Sequence, residues 1–302
     1  MRYIFTFKWG QRGTGQSQFD FPQGIALDSS GNIYVADTDN CRVQKFAKDG
    51  SFLGSWGGEG SGNGFFLGAQ DVAVDSDGFL YVLDVSNHRI QKFRPDTSFI
   101  RTWGGLGTGN GQFKFPRGFG LDSDNFVYVA DTENNRIQKF RNDGGFIRTW
   151  GEVGSGNGQF HHPNDVAVHS NQFVYVADTH NNRIQKFTND GNLISILGPD
   201  YGQGQFHSPT GIAVDKDGNL FISEPFDILK FGPDGSFITK WGSFGTGDGQ
   251  FNSPGAVAIK SGTVTFLDER VYVGDGINNR IQVFRPDLVV HTENKNEKGL
   301  DV

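Results

Sequence analysis

The sequence predicts an all-β fold, a six-bladed β-propeller of four-stranded antiparallel blades. First, a phenylalanine recurs six times at spacings of 45 to 47 residues, at Phe19, Phe66, Phe113, Phe160, Phe206 and Phe251. Second, each repeated unit contains four short runs of strand-like composition. Third, the 44 glycines and the aromatic share of 14% suit short, aromatic-packed strands joined by tight turns. Radial repetition of such units is typical of a propeller.

The third unit shows the pattern within one blade. Its four runs are Gly118 to Asp122, Val127 to Ala130, Arg136 to Phe140, and Phe146 to Trp150. Each run has about five residues, the usual length of a strand, and turn-forming residues separate them. We therefore expect one antiparallel four-stranded sheet per unit.

Aromatic residues recur in register with the units. All five tryptophans occupy one repeat position, Trp9, Trp56, Trp103, Trp150 and Trp241, and Leu197 fills the sixth. A side chain that recurs in every blade serves packing between blades, whereas a ligand cage needs only one site. The aromatic residues are thus predicted to be core.

The two ends of the chain complement each other. The sixth unit has no outer strand after Phe284, and the N-terminal residues 3–9 carry the missing pattern. We expect them to complete blade six and close the ring, which removes an open sheet edge. Residues 1–287 then form a single propeller domain, and the polar residues 288–302 are expected to be a disordered tail.

Composition narrows the choice of partners and compartment. The formal net charge of −7 disfavours RNA and anionic membranes as partners. Cys41 is the only cysteine, which excludes an intrachain disulfide and thiolate zinc clusters. The sequence contains neither a signal-peptide pattern nor a membrane-spanning stretch, which favours the cytoplasm. We expect a monomer.

The units resemble the NHL repeat. The first unit runs from Phe19 to Asp28 and from Gly31 to Phe46, and its Asp37-x-x-Asn-x-Arg-x-Gln44 core recurs in register. The same core occupies Asp84–Gln91, Asp131–Gln138, Asp178–Gln185 and Asp275–Gln282. The resemblance covers about residues 3–287 and implies a six-bladed propeller.

Three units depart from the pattern. The fifth, from Ser223 to Phe231, lacks the Asn-x-Arg-Ile-Gln element. The sixth has an insertion around Ser261 to Arg270, and Ala69 stands where the second unit should have proline. In every unit except the fifth, the aspartate that ends one strand should hydrogen-bond the arginine that opens the next, and this recurrence indicates a structural role.

The resemblance to propeller lyases implies that six positions surround the mouth of the central channel. They directly follow the repeat proline and are Gln23, Gln70, Arg117, Asn164, Thr210 and Gly255. The resemblance to peptide-amidating lyases implies zinc-binding histidines there, yet none of the six is a histidine or a carboxylate. Arg117 is the only charge and could bind a carboxylate or phosphate. This ring is more typical of recognition than of catalysis, and no catalytic residue is assigned.

The histidines provide the remaining candidates for metal ligands. His161 and His207 occupy equivalent positions in neighbouring units, and His162 is adjacent to the first. Together they could hold zinc with an open coordination position. His88, His169 and His180 are interpreted as isolated substitutions. No other cofactor is expected, apart from the alternative of a structural calcium ion on the axis.

Two functions from different classes remain. The favoured one is a non-catalytic binding or scaffold module that recognises a protein or peptide on one face, with RNA as the less favoured ligand. The alternative is a metal-dependent lyase or hydrolase resembling peptide-amidating or streptogramin lyases, with its site at the central channel. A third option is an assembly or sensor domain within a longer chain.

Overall fold

The computed structural model describes residues 2–170, 172–198, 206–261 and 268–287. They form 24 strands in six separate four-stranded sheets. The expected tail and most of the expected insertion lie outside the described residues. No helix in the described part of the chain is long and apolar enough to cross a membrane.

Each of the first five blades contains four consecutive strands, and adjacent strands in every sheet are antiparallel. The strands of blades one to three are β2 (Pro22–Leu27), β3 (Ile33–Asp37), β4 (Arg42–Phe46), β5 (Phe52–Gly57), β6 (Ala69–Val74), β7 (Leu80–Asp84), β8 (Arg89–Phe93), β9 (Phe99–Gly104), β10 (Gly118–Leu121), β11 (Val127–Asp131), β12 (Arg136–Phe140) and β13 (Phe146–Trp150). Those of blades four to six are β14 (Pro163–His169), β15 (Phe173–Asp178), β16 (Arg183–Thr188), β17 (Leu193–Leu197), β18 (Gly211–Val214), β19 (Leu220–Ser223), β20 (Ile228–Phe231), β21 (Phe237–Trp241), β22 (Pro254–Lys260), β23 (Arg270–Asp275), β24 (Arg280–Asp287) and β1 (Arg2–Trp9).

The N-terminal strand closes the ring, as the sequence predicts. β1 pairs antiparallel with β24 and becomes the outer strand of blade six. Its Tyr3 stacks on Trp241 of blade five with ring centroids 4.3 Å apart. The Tyr3 hydroxyl also donates to Glu269 and accepts a hydrogen bond of 2.8 Å from the Lys230 ammonium. One segment thus completes one blade and ties it to its neighbour.

Blades pack on one another through the repeated aromatic residues. Phe113, from the segment that enters blade three, contacts Phe140 of that blade at 5.5 Å between ring centroids. Trp103 of blade two lies 6.5 Å from the same Phe140 ring. Phe113 and Phe140 are fully buried. The prediction that these rings are core is confirmed.

Antiparallel pairing sorts the connections onto two faces. Each inner strand starts, and each outer strand ends, at the same edge of its sheet. The linkers between blades therefore share that edge with the turns between second and third strands, and we call this the linker face. The two remaining turns of each blade lie on the other edge, which we call the turn face.

A buried aspartate at the end of each second strand organises the linker face. In blade three, Asp131 accepts 2.7 Å hydrogen bonds from the Arg136 guanidinium and from the backbone N–H of Lys114. The Asn134 and Gln138 amides also donate to Asp131. These contacts satisfy a carboxylate that is fully buried.

The arginine of this network extends it to the glycine-rich linker. The other N–H groups of Arg136 donate to the backbone oxygens of Thr108, Gly109 and Gln112 at 2.8 to 2.9 Å. The aspartate–arginine pair recurs in five blades at 2.7 to 3.0 Å. The predicted hairpin contact is confirmed, and it also holds the linkers, which the sequence did not indicate.

In blade five, the end of the second strand contacts the preceding linker without an arginine. Glu224 replaces the aspartate and accepts a hydrogen bond of 2.5 Å from the backbone N–H of His207. Burial raises the pKa of Glu224 to about 7, although the His207 N–H opposes this shift. The sequence showed the loss of the arginine but not that Glu224 takes over the aspartate's role.

A second set of hydrogen bonds connects four of the blades to the next blade on the linker face. In blades two, three, four and six, the residue before the third strand has a left-handed backbone, and its side chain accepts from a backbone N–H of the following blade. The Asn135 side chain accepts from His162 N–H at 2.8 Å, and the His88 Nδ1 atom accepts from Phe115 N–H at 3.0 Å. His88 therefore replaces an asparagine of the scaffold, and its role is structural.

Removing residues 1–9 should destabilise the whole ring, because blade six loses its outer strand and blade five loses the Tyr3 contacts. We expect the midpoint of thermal unfolding, followed by circular dichroism, to fall by more than ten degrees or the chain to become insoluble, since an open propeller exposes a strand edge. The control is removal of residues 291–302, which should leave the midpoint unchanged. Equal melting of the two truncated chains and the intact protein would refute closure.

Replacing the buried carboxylate tests the network. Asp131→Asn keeps the volume but removes the charge that Arg136 pairs with, and should cost about 3–5 kcal/mol of unfolding free energy. Urea titration measures this loss. The matched control, Glu133→Gln, alters an exposed pair with Lys114 in the same turn and should cost less than about 1 kcal/mol. Similar costs for both variants would count against the network.

Candidate functional site

The channel mouth lies where the six inner strands begin. All six predicted positions, Gln23, Gln70, Arg117, Asn164, Thr210 and Gly255, line the same cavity there. The cavity measures about 20 Å³, room for about one water molecule. A larger ligand would therefore lie over the mouth rather than inside it. That these residues bind a ligand stays a prediction.

Hydrogen bonds between blades tighten this ring. The Asn164 amide donates to the backbone oxygen of Thr210 at 2.7 Å, and the Thr210 hydroxyl donates to that of Pro254 at 3.2 Å. At Gly255 an added Cβ would lie 2.7 Å from the backbone oxygen of Gln23, so only glycine fits. Arg117 is exposed and supplies the only formal charge of the six positions.

Two carboxylates lie directly beneath the mouth, and the sequence analysis missed them. Asp71 accepts hydrogen bonds from the N–H groups of Val72 at 2.8 Å and Phe119 at 3.1 Å. Asp165 makes the equivalent pair with Val166 and Ile212, at 2.7 and 2.9 Å. Each carboxylate thus links its own inner strand to that of the next blade.

These carboxylates resist ionisation. Burial raises the pKa of Asp165 to about 7, while its two backbone N–H donors oppose the shift. Burial also raises the pKa of Asp71 well above its usual range, and the charge of Asp165 adds to this effect. Two buried like charges that interact disfavour simultaneous ionisation. Burial and the Asp71–Asp165 interaction therefore favour the protonated forms of this pair.

Glycines in the preceding blades make room for the carboxylates. An added Cβ at Gly24 would lie 2.5 Å from Asp71, and one at Gly118 would lie 2.4 Å from Asp165. The repeat position is glycine in blades one, three and five, at Gly24, Gly118 and Gly211. Glycine and aspartate alternate at this repeat position through the first five blades, and this pattern could have pointed to the two carboxylates. It can be interpreted only once the neighbouring inner strands are known to meet at the axis.

Below the carboxylates the channel widens into an apolar cavity. It measures about 240 Å³ and is lined mainly by aliphatic residues of the inner strands, such as Leu27, Val74 and Leu121. Typical small-molecule pockets are about 300–1,000 Å³ and carry several convergent polar groups. The cavity has only Asp71 and Asp165, and both already accept two backbone N–H groups. It is therefore not the leading candidate for a ligand site.

The histidine candidates separate into two groups. His161 and His162 meet His180, and the candidate ligand atoms of all three lie within 4.8 Å of one another. His207 is not a member of this cluster. The interpretation of His180 as isolated is wrong, because the turn after β15 folds onto the linker before β14, where His180 N–H donates to the His161 backbone oxygen at 3.1 Å.

Burial lowers the pKa of His180, and the neighbouring His162, His161 and Arg117 lower it further. The neutral imidazole is therefore favoured at this position. The Nδ1 atoms of His162 and His180 are 2.9 Å apart, within hydrogen-bond distance. Among the residues that the structure describes, this is the one cluster of three or more histidine, cysteine or carboxylate side chains close enough to share a metal ion.

Exposed apolar side chains favour one face of the ring. The described residues include eleven large, exposed hydrophobic side chains, of which eight lie on the linker face and three on outer strands. The eight are Phe65, Leu67, Leu106, Phe115, Val153, Phe226, Phe244 and Ile277. The turn face instead carries five exposed aspartates in the turns between third and fourth strands, at Asp49, Asp96, Asp143, Asp190 and Asp234. The aspartates of its other turns are buried or half-buried, at Asp28, Asp75, Asp122 and Asp215.

Comparison with known families agrees with this architecture. The NHL repeat family model matches residues 19–46, 66–93, 113–140 and 160–187, which fall in blades one to four. The fold and these matches together define a six-bladed β-propeller. The chain is an NHL-repeat protein.

Curated relatives match short stretches of this chain. Human NHL repeat-containing protein 3 is 44% identical over 54 residues, and the B-box type zinc finger protein ncl-1 of Caenorhabditis elegans is 43% identical over 51 residues. Each alignment covers 17% of this chain but only 16% and 6% of the relatives.

Solved structures match nearly the whole chain at low identity. A gluconolactonase of Xanthomonas campestris has a TM-score of 0.62 at 16% identity, covering 89% of this chain and 87% of its own. Virginiamycin B lyase of Staphylococcus aureus has a TM-score of 0.60 at 14% identity, covering 95% of this chain and all of its own. At such identities the likeness shows the fold alone.

The buried carboxylates should make stability depend on pH. Burial raises the pKa of Asp165 from 3.8 to about 7, so the folded protein favours its protonated form. The stability that protonated Asp165 contributes is fully present below about pH 4 and is lost as pH rises through about 7. The unfolding free energy of wild type relative to Asp165→Gly should therefore be larger at pH 5 than at pH 8, by on the order of 2 kcal/mol. Glycine occurs at this position in three other blades.

Urea titrations at the two pH values measure this difference. The control is Leu53→Ser on outer strand β5, an exposed change that removes no ionisable group, so its effect should be the same at both pH values. If the Asp165→Gly difference is the same at both pH values, Asp165 ionises like an exposed carboxyl.

Proposed function

We propose that this NHL propeller is a non-catalytic binding module that holds a protein or peptide on its linker face, over the channel mouth. The observation that carries the proposal is the concentration of exposed hydrophobic side chains on that face. Exposed apolar groups gathered on one side of a protein are typical of interaction surfaces. The turn face instead carries five exposed aspartates, which suit contact with water.

The linker face is also rigid, which favours binding. Five of the six linkers are held by the arginine network. Neighbouring blades are joined by hydrogen bonds such as the one that His162 N–H donates to Asn135. A surface whose backbone is already ordered loses less entropy when a partner binds. The exposed side chains therefore stand on a preformed platform.

The channel mouth adds a polar centre to this apolar surface. Arg117 can pair with a carboxylate, and Gln23, Gln70 and Asn164 can exchange hydrogen bonds with a peptide backbone. The mouth cavity of about 20 Å³ admits little more than a water molecule, so recognition would occur on the surface. The formal net charge of −7 and the acidic turn face disfavour RNA.

The enzyme alternative rests on the likeness to a lyase and a gluconolactonase. That likeness concerns the fold, and the mouth ring has neither a histidine nor a carboxylate. A catalytic function would need to use Asp71 and Asp165 or the histidine cluster. The following test distinguishes the binding role from the enzyme alternative.

Selection of a phage-displayed random peptide library on the immobilised protein tests the binding role. We expect enriched peptides to bind Leu106→Ser and Phe244→Ser at least about tenfold more weakly than wild type, because both side chains are 63% exposed on the linker face. The matched control is Leu53→Ser, 53% exposed on outer strand β5, which should bind as wild type does.

Lack of enrichment, or equal binding by all four proteins, would contradict the proposed surface. Mass spectrometry of the selected peptides after incubation provides the second readout. Peptides recovered intact agree with a binding module, whereas cleavage by wild type would favour the hydrolase alternative.

A further inference from the structure

We propose that His161, His162 and His180 form a binding site for one divalent transition-metal ion, of which zinc is the prime candidate, on the linker face. The site lies at the rim of the channel mouth in blade four. It is independent of the proposed peptide-binding role. Its evidence is the meeting of three imidazoles from two segments of the chain.

The distances suit a metal after small rotations of the side chains. In a tetrahedral site with metal–nitrogen bonds of about 2.0–2.1 Å, the ligand nitrogens are about 3.3 Å apart. The Nδ1 atoms of His162 and His180 are 2.9 Å apart, and all three candidate ligand atoms lie within 4.8 Å of one another. The required shifts are about 0.5–1.5 Å, which rotation of exposed imidazoles can supply.

The backbone around the three imidazoles is already held in place. The backbone N–H of His161 donates to Asp178 at 2.8 Å, and that of His162 donates to Asn135 at 2.8 Å. The backbone N–H of His180 donates to the His161 oxygen at 3.1 Å. Binding a metal would therefore order only side chains, which keeps its entropic cost low.

The repeat itself explains why these positions meet. In blade three, the residues equivalent to His161 and His180 are Lys114 and Glu133, and their side chains form an ion pair of 3.4 Å. The same pair of positions thus brings complementary side chains together in another blade. In blade four both positions, and the one after His161, carry imidazoles.

The donor set points to a transition metal rather than calcium. Neutral imidazole nitrogens suit zinc, copper and nickel, whereas calcium prefers oxygen ligands. The nearest carboxylate of the network, Asp178, is already bonded to Arg183, Asn181, Gln185 and the His161 N–H. Three imidazoles without a carboxylate leave at least one coordination position for water or for a group of a partner.

Isothermal titration of tag-free, chelator-treated protein with zinc chloride tests the site. We expect one zinc ion per chain for wild type, and at least about tenfold weaker binding for His161→Gln and for His180→Gln. Loss of a group that merely orients a ligand costs about 10–100-fold in affinity, so loss of the ligand should cost at least as much.

His207→Gln is the matched control, because His207 occupies the position of His161 in blade five but lies outside the cluster. It should bind zinc as wild type does. Cobalt(II) absorption gives a second readout, since the visible bands of a tetrahedral complex should appear in wild type and His207→Gln only. Thermal melting without metal should be the same for all variants, which shows that they fold.

Two results would overturn the assignment. One is a wild-type protein that binds no stoichiometric zinc. The other is an equal loss of binding in His207→Gln and His161→Gln, which would mean that the ion is held elsewhere.

Discussion

A buried carboxylate at the end of the second strand is the contact on which the ring depends. A fully buried charge is costly unless hydrogen bonds surround it, and Asp131 meets this need with partners from its own strand pair and from the preceding linker. Because Arg136 continues to the linker oxygens, one charge orders a segment with little side-chain packing of its own. Strands, turn and linker are therefore ordered together, blade after blade.

The inner strands around the channel axis also contain buried polar groups that need hydrogen-bond partners. Inner strands approach so closely that an added Cβ at Gly24 or Gly118 would collide with the next blade. Where space remains, Asp71 and Asp165 accept backbone N–H groups across the gap between blades. These buried carboxylates resist ionisation, and the cavity at the mouth, about 20 Å³, has room for about one water molecule. This close packing is the reason that the proposed binding surface lies around the mouth rather than inside it.

Much of the fold could be predicted from the sequence because the same strand pattern, weak in any one unit, recurs in six units. A single strand of five residues is ambiguous, but the same pattern at six places in register specifies a blade, and the missing outer strand after Phe284 identifies the role of the N-terminal residues. The mouth positions followed from the family resemblance, which places the residue after the repeat proline at the channel mouth, together with the radial repetition that brings the six residues together.

What could not be predicted depends on contacts between different segments. His180 resembled an isolated substitution until the turn that carries it was placed against His161. Glu224 occupies the aspartate position in a unit that had lost the rest of the motif, and Asp71 and Asp165 gain their meaning from strands of the next blade. Single-sequence patterns describe one segment at a time, so such cross-segment sites stay hidden.

The division between constant and variable positions also bears on function. The network uses the same aspartate, asparagine, arginine and glutamine in five blades, so these residues cannot distinguish one part of the ring from another. Side chains that project from the linker face differ between blades, from Lys114 and Glu133 in blade three to His161 and His180 in blade four. A symmetric scaffold thus presents an asymmetric surface, and under the proposed function specificity for a partner would come from these variable side chains.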